Sequence, residues 1–78
     1  MYELNKENIG KAVKAFRKSK GFSQEVLSRK AGIARSHLAM IETGSKQPNF
    51  ATIWQLANAL EIRPSQLVAA IESYDLMK

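Results

Sequence analysis

Residues 23–44 read SQEVLSRKAGIARSHLAMIETG, and they hold two short helical patterns that meet at a glycine. Leu27 and Ala31 are four apart, and Leu38 and Ile41 are three apart, so each pair marks one face of a helix. Ser23 precedes the first pattern with a side chain suited to capping. Two helices joined by so few residues must cross steeply. The crossing needs a small residue where they touch, which Ser28 supplies. The turn needs a positive φ, which Gly32 adopts without steric cost, and Ile33 then fills the angle. These are the demands of a helix-turn-helix. The spacing predicts one helix over Gln24–Ala31 and another over Arg35–Thr43, closed by Gly44. The second helix turns Leu38 and Ile41 inward. Arg35, Ser36, Ala39 and Met40 fall on its other side, a mixture of hydrogen-bonding and small apolar groups that is neither a solvated charge stripe nor a second core face.

The helical period extends to both sides. Ile9, Val13 and Phe16 predict a helix from Lys6 to Lys20, capped by Asn5 and stopped by Gly21. Gly10 costs that helix about 1 kcal/mol against Ala, which suits a place where another backbone passes closely. After the SKQP loop, Asn49 caps a helix from Phe50 to Leu60 with Ile53, Leu56, Ala57 and Leu60 inward. Pro64 fits the first position of a last helix, about 64–73, carrying Leu67, Val68 and Ile71. No alternating Val/Ile/Thr run suggests a strand. The expected fold is all-α: five helices in a single domain, residues 1–78, with the helix-turn-helix at about 23–43.

Composition narrows the function. The net charge is +5 and unevenly spread. Residues 1–50 hold ten Lys or Arg against four acids, whereas residues 51–78 hold two against three. The first part reads as a surface for a polyanion. With no cysteine, disulfides and thiolate metal sites are excluded, which fits a reducing cytoplasm. Met1 leads into YELNKENIGK, not an apolar run, so neither a signal peptide nor a membrane segment is expected. His37 is the single histidine and has no clustered acid beside it. It suits a phosphate contact or partial burial better than a metal. No nucleophile–base pair, paired acids or phosphate-cradling glycine loop stands out, so neither catalysis nor a cofactor is expected.

The runs IGKAVKAFRKSKGFSQEVLSRKAGI and HLAMIETGSKQPNFATIWQLANALEI carry a likeness. With SQ opening the second helix, AGI at the turn and IETG closing the third, the chain resembles the Xre/Cro family of phage-repressor-like DNA-binding domains over about residues 8–71. The segment ARSHLAMIE also looks like the third helix of restriction–modification controller proteins. The resemblance implies a lambda-repressor-like bundle and a transcriptional regulator that binds double-stranded DNA, its third helix in the major groove. Arg35, Ser36, Ala39 and Met40 would then read base edges. Ser23, Gln24, His37, Lys46, Gln47, Asn49 and Arg17 would meet the DNA backbone, with the amide of Phe50 joining Ser23 and Asn49 at helix N-termini. The family often links the positions of Arg17 and Glu42 by an ion pair, implying a partly buried, bidentate contact here.

Family members usually bind as dimers, and the near-neutral C-terminal part supplies interface candidates in Trp54, Leu67, Ile71, Tyr74, Leu76 and Met77, with a core place for Leu67 and a cap on the core edge for Trp54 as the alternatives. No small-molecule ligand or membrane partner is implied, and the expected place is the cytoplasm, on the nucleoid of a prokaryote or phage host. A different role in the same family, an antitoxin that neutralises a partner and autoregulates, usually needs an added toxin-binding segment, and only residues 72–78 follow Ile71. Two departures stand out. Ser28 replaces a common Ala, and Ala34 replaces the Ser or Thr that often caps the third helix, a loss worth ~1 kcal/mol.

Overall fold

Three side chains open helices as their chemistry dictates. Asn5 Oδ1 accepts from the Glu7 amide at 2.8 Å, Ser23 Oγ from Val26 at 3.1 Å, and Asn49 Oδ1 from Thr52 at 2.8 Å. The computed structural model describes residues 5–76. The helices are α1 (Lys6–Ser19), α2 (Gln24–Ala31), α3 (Arg35–Thr43), α4 (Phe50–Ala59) and α5 (Pro64–Leu76), and no strand occurs among the described residues. Helices α1 and α4 each end one residue before the expected position, within the fraying of a last turn. Helix α5 runs three residues further than its sequence pattern suggests. Its start is closed reciprocally, because the Gln66 side chain reaches back to accept from the Arg63 amide at 2.8 Å.

Ile9, Val13, Leu27, Leu38, Ile41, Leu56, Leu60 and Leu67 are fully buried in one core that all five helices share. One expectation for α5 needs correction. Leu67 and Ile71 are candidates for a dimer interface by sequence, but their relative exposures are 0% and 7%. Their spacing of four stacks them on the face turned into the bundle, where α5 packs on α1 and α4. Val68 is 44% exposed because it lies one residue, about 100°, around the helix from Leu67.

α1 crosses α3 at Gly10. A Cβ built there would lie 2.5 Å from the Ile41 carbonyl oxygen and 2.6 Å from that of Glu42. Both neighbours are backbone and cannot swing aside. We expect Gly10→Ala to destabilise the protein by about 1–3 kcal/mol despite alanine's better helix propensity. Urea unfolding checks this, since a purely local helix effect would raise the midpoint instead.

Candidate nucleic-acid interface

The joint between α2 and α3 is built as the sequence demands. Gly32 has φ +72°, and its amide bonds the Arg29 carbonyl while the Ile33 amide bonds the Ser28 carbonyl. Ser28 is buried, and its hydroxyl donates to the Glu25 carbonyl at 3.0 Å, satisfying the polar group that replaces alanine. Ile33 packs against the core from the corner.

α3 is held from beneath. Leu38 and Ile41 anchor it in the core. Beside them Glu42 receives two hydrogen bonds from Arg17: Nε to Oε2 at 2.7 Å and Nη2 to Oε1 at 2.9 Å. Arg17 Nη1 donates to the Phe22 carbonyl at 3.0 Å, and Gln24 Nε2 donates to Glu42 Oε1 at 3.1 Å. The carboxylate thus ties α3 to the end of α1, the following turn and the first residue of α2. The side chains of Arg17 and Glu42 are only 11% and 2% exposed, so the pair is desolvated and its bidentate geometry is what compensates. All three guanidinium nitrogens of Arg17 are engaged internally. These three bonds, and a side chain only 11% exposed, weigh against the phosphate contact expected of Arg17.

The opposite side of α3 is uncommitted. Arg35, Ser36 and Met40 are exposed, and Ala39 and His37 are half-buried. Ala34 caps α3 with no side-chain hydrogen bond, so the amides of the first turn have no side-chain acceptor. At the other end the Met40 carbonyl gathers the loop. The amides of Ser45 and Lys46 bond it at 3.0 and 3.2 Å, and the hydroxyls of Thr43 and Ser45 lie 3.2 Å from it and 3.1 Å from each other. Lys46 and Gln47 are exposed on the loop so formed. Ser23 and Asn49 are also exposed, each already serving as a helix cap. Sequence reasoning missed Thr43 and Ser45, although hydroxyls flanking a terminal glycine are a recognisable signal for such a wrap.

Away from this face the apolar candidates divide. Trp54 and Leu76 are exposed, as is Phe50, whose ring centroid lies 5.9 Å from that of Trp54. Phe50 is singled out by sequence only for its amide, though its spacing of four from Trp54 brings the two rings together at a 58° tilt. Tyr74 instead turns toward α1, lining a trough with Ala12 and Phe16, and Met77 lies outside the described residues.

A helix-turn-helix family model, HTH_3, matches residues 13–67. The chain belongs to the HTH_3 helix-turn-helix family. This HTH_3 chain is 40% identical over 64 residues to the HTH-type transcriptional regulator YazB of Bacillus subtilis, covering 82% of this chain and 93% of that protein. It is similar to the crystal structure of the restriction–modification controller protein C.AhdI from Aeromonas hydrophila, with a TM-score of 0.79 and 32% identity over 83% of this chain and 98% of the other. It is also similar to SinR of Bacillus subtilis, a master regulator for biofilm formation, in a crystal structure of SinR with DNA. There the TM-score is 0.72 and the identity 33%, over 77% of this chain and 97% of the other.

The buried pair can be tested without reference to any ligand. We expect Glu42→Leu alone to cost about 3–5 kcal/mol, because it strands the Arg17 charge. The double variant Arg17→Met, Glu42→Leu should recover most of that loss. Denaturant unfolding of the cycle checks this, and a double variant no more stable than Glu42→Leu would dissociate the loss from the stranded charge.

Proposed function

We propose that this protein is a sequence-specific DNA-binding transcriptional regulator that lays α3 in the major groove and acts as a homodimer. The observation that carries the reading is the two-sided character of α3. Its inner side is locked by Leu38, Ile41 and Glu42, while its outer side presents the side chains of Arg35, Ser36 and Met40, which have no hydrogen-bond or ion-pair partner among the described residues. The surplus of basic residues in positions 1–50, the likeness to YazB and the likeness to SinR, whose crystal structure holds DNA, support it.

In this reading Arg35 donates two hydrogen bonds to guanine O6 and N7. Ser36 donates or accepts at a base edge, Ala39 permits close approach, and Met40 meets a thymine methyl. Lys46, Gln47 and His37 meet phosphates, and the amides at the starts of α2, α3 and α4 lie where Ser23, Gln24, Asn49 and Phe50 can add contacts. Gln24 serves twice, since its side-chain nitrogen braces Glu42 while its backbone stands in the first turn of α2. One recognition helix reads few base pairs, so two copies across a two-fold axis would supply the specificity of a genomic site. Phe50, Trp54, Val68 and Leu76 supply exposed apolar area for that pairing.

Selection of bound sites from random duplexes, followed by titration, tests the groove assignment. We expect Arg35→Ala to lose about 1–3 kcal/mol on the selected site and to relax preference at one base pair. Lys46→Ala should weaken selected and unrelated duplexes alike and lower the salt slope by about one. Indifference of the protein to duplex sequence, or an unchanged affinity after Arg35→Ala, would overturn the reading. For the dimer, Trp54→Glu should shift sedimentation toward the monomer while leaving the helical circular dichroism intact.

A further inference from the structure

A trough of about 280 Å³ runs between α1 and α5, lined by Ala12, Ala15, Phe16 and Ser19 on one wall and Ala70 and Tyr74 on the other. Its lining is mostly apolar, and its α1 wall is built from small residues around one ring. Small side chains let a third helix approach the backbone closely, and the two aromatic rings offer walls for its apolar side chains. The rim on the α1 side is cationic. Lys11 is four residues before Ala15 and Lys18 three after it, so both border the trough. Lys14 joins them on the same exposed stripe. Among the described residues none of these three makes an ion pair, whereas Arg17, Arg29 and Lys30 all do.

The trough is also separate from both surfaces assigned above. Ala12 and Ser19 lie roughly 200° and 180° around α1 from Gly10, the residue that touches α3. Ala70 lies roughly 200° around α5 from Val68. An occupant would therefore leave α3 and the outward face of Val68 free. A phosphate backbone has no use for an apolar trough facing away from α3, whereas an acidic amphipathic helix matches both its floor and its rim.

We infer that the α1–α5 trough docks an amphipathic helix of a partner protein, with leucine-like side chains in the trough and carboxylates against Lys11 and Lys18. The inference rests on the DNA-binding reading only for the claim that both partners bind at once. Docking itself is measured without DNA, so the two can fail separately.

The probe is a helix-stapled synthetic peptide with leucines at i, i+3, i+4 and i+7 and glutamates on both flanks, titrated into the full chain and followed by backbone amide shifts. Shifts should concentrate at Ala12, Ala15, Phe16, Ser19, Ala70 and Tyr74. Ala15→Glu should weaken binding by about tenfold or more, and so should the pair Lys11→Glu, Lys18→Glu. Both variants keep good helix formers at exposed positions. Their affinity for a selected duplex should stay within about twofold for Ala15→Glu and fall modestly, through net charge alone, for the lysine pair. The inference is overturned if the peptide does not bind, or if a version with lysines for glutamates binds equally. It also fails if the shifts fall on α3 or on Phe50 and Trp54. A drop in the salt slope of duplex binding by about two for the lysine pair would assign the stripe to phosphates instead.

Discussion

The carboxylate of Glu42 is the point on which this fold turns. A helix of nine residues has too few hydrogen bonds to persist alone and must be held by what it packs against. A helix that is to present one side to a ligand can be gripped only from the other. Leu38 and Ile41 supply apolar grip but allow sliding, whereas two charge-assisted hydrogen bonds from Arg17 fix both position and rotation. The same guanidinium bonds the Phe22 carbonyl, and Gln24 adds its amide to the same carboxylate oxygen. The end of α1, the start of α2 and the last turn of α3 are therefore referenced to one buried charge.

That grip works because the backbones of α1 and α3 nearly touch. Gly10 removes the side chain that would hold them apart, bringing the reach of Arg17, two turns further along, within range of Glu42. The cost of glycine inside a helix is offset by this approach. Glu61 shows the contrasting case: it takes φ +61° at the end of α4, a conformation that usually falls to glycine, and its carboxylate lies 3.8 Å from Lys30 Nζ at an exposed pair of little energetic weight.

Much of the architecture was legible because its signals are local. Asn5, Ser23 and Asn49 cap helices through atoms within a few residues, and Gly32 and Gly44 stop helices by their own φ. The Arg17–Glu42 pair, 25 residues apart, is implied only by family likeness, since spacing alone cannot join the two residues. Helix α5 is the least legible. Its apolar residues surround the helix, so periodicity could not say that Leu67 and Ile71 enter the core, that Tyr74 meets α1 and that Val68 faces outward. The inward turn of Arg17 was hidden for a different reason: a guanidinium serves a phosphate or a carboxylate equally well, and only its neighbours decide.

Met40 combines two roles in separable parts of one residue. Its thioether side chain stands on the outer face of α3, while its carbonyl oxygen collects the amides of Ser45 and Lys46. The scaffold function belongs to the main chain, which every amino acid except proline can replicate at this place. Side-chain replacement at position 40 can thus vary the surface chemistry without rebuilding the loop that follows. Surface chemistry and architecture are uncoupled at this residue.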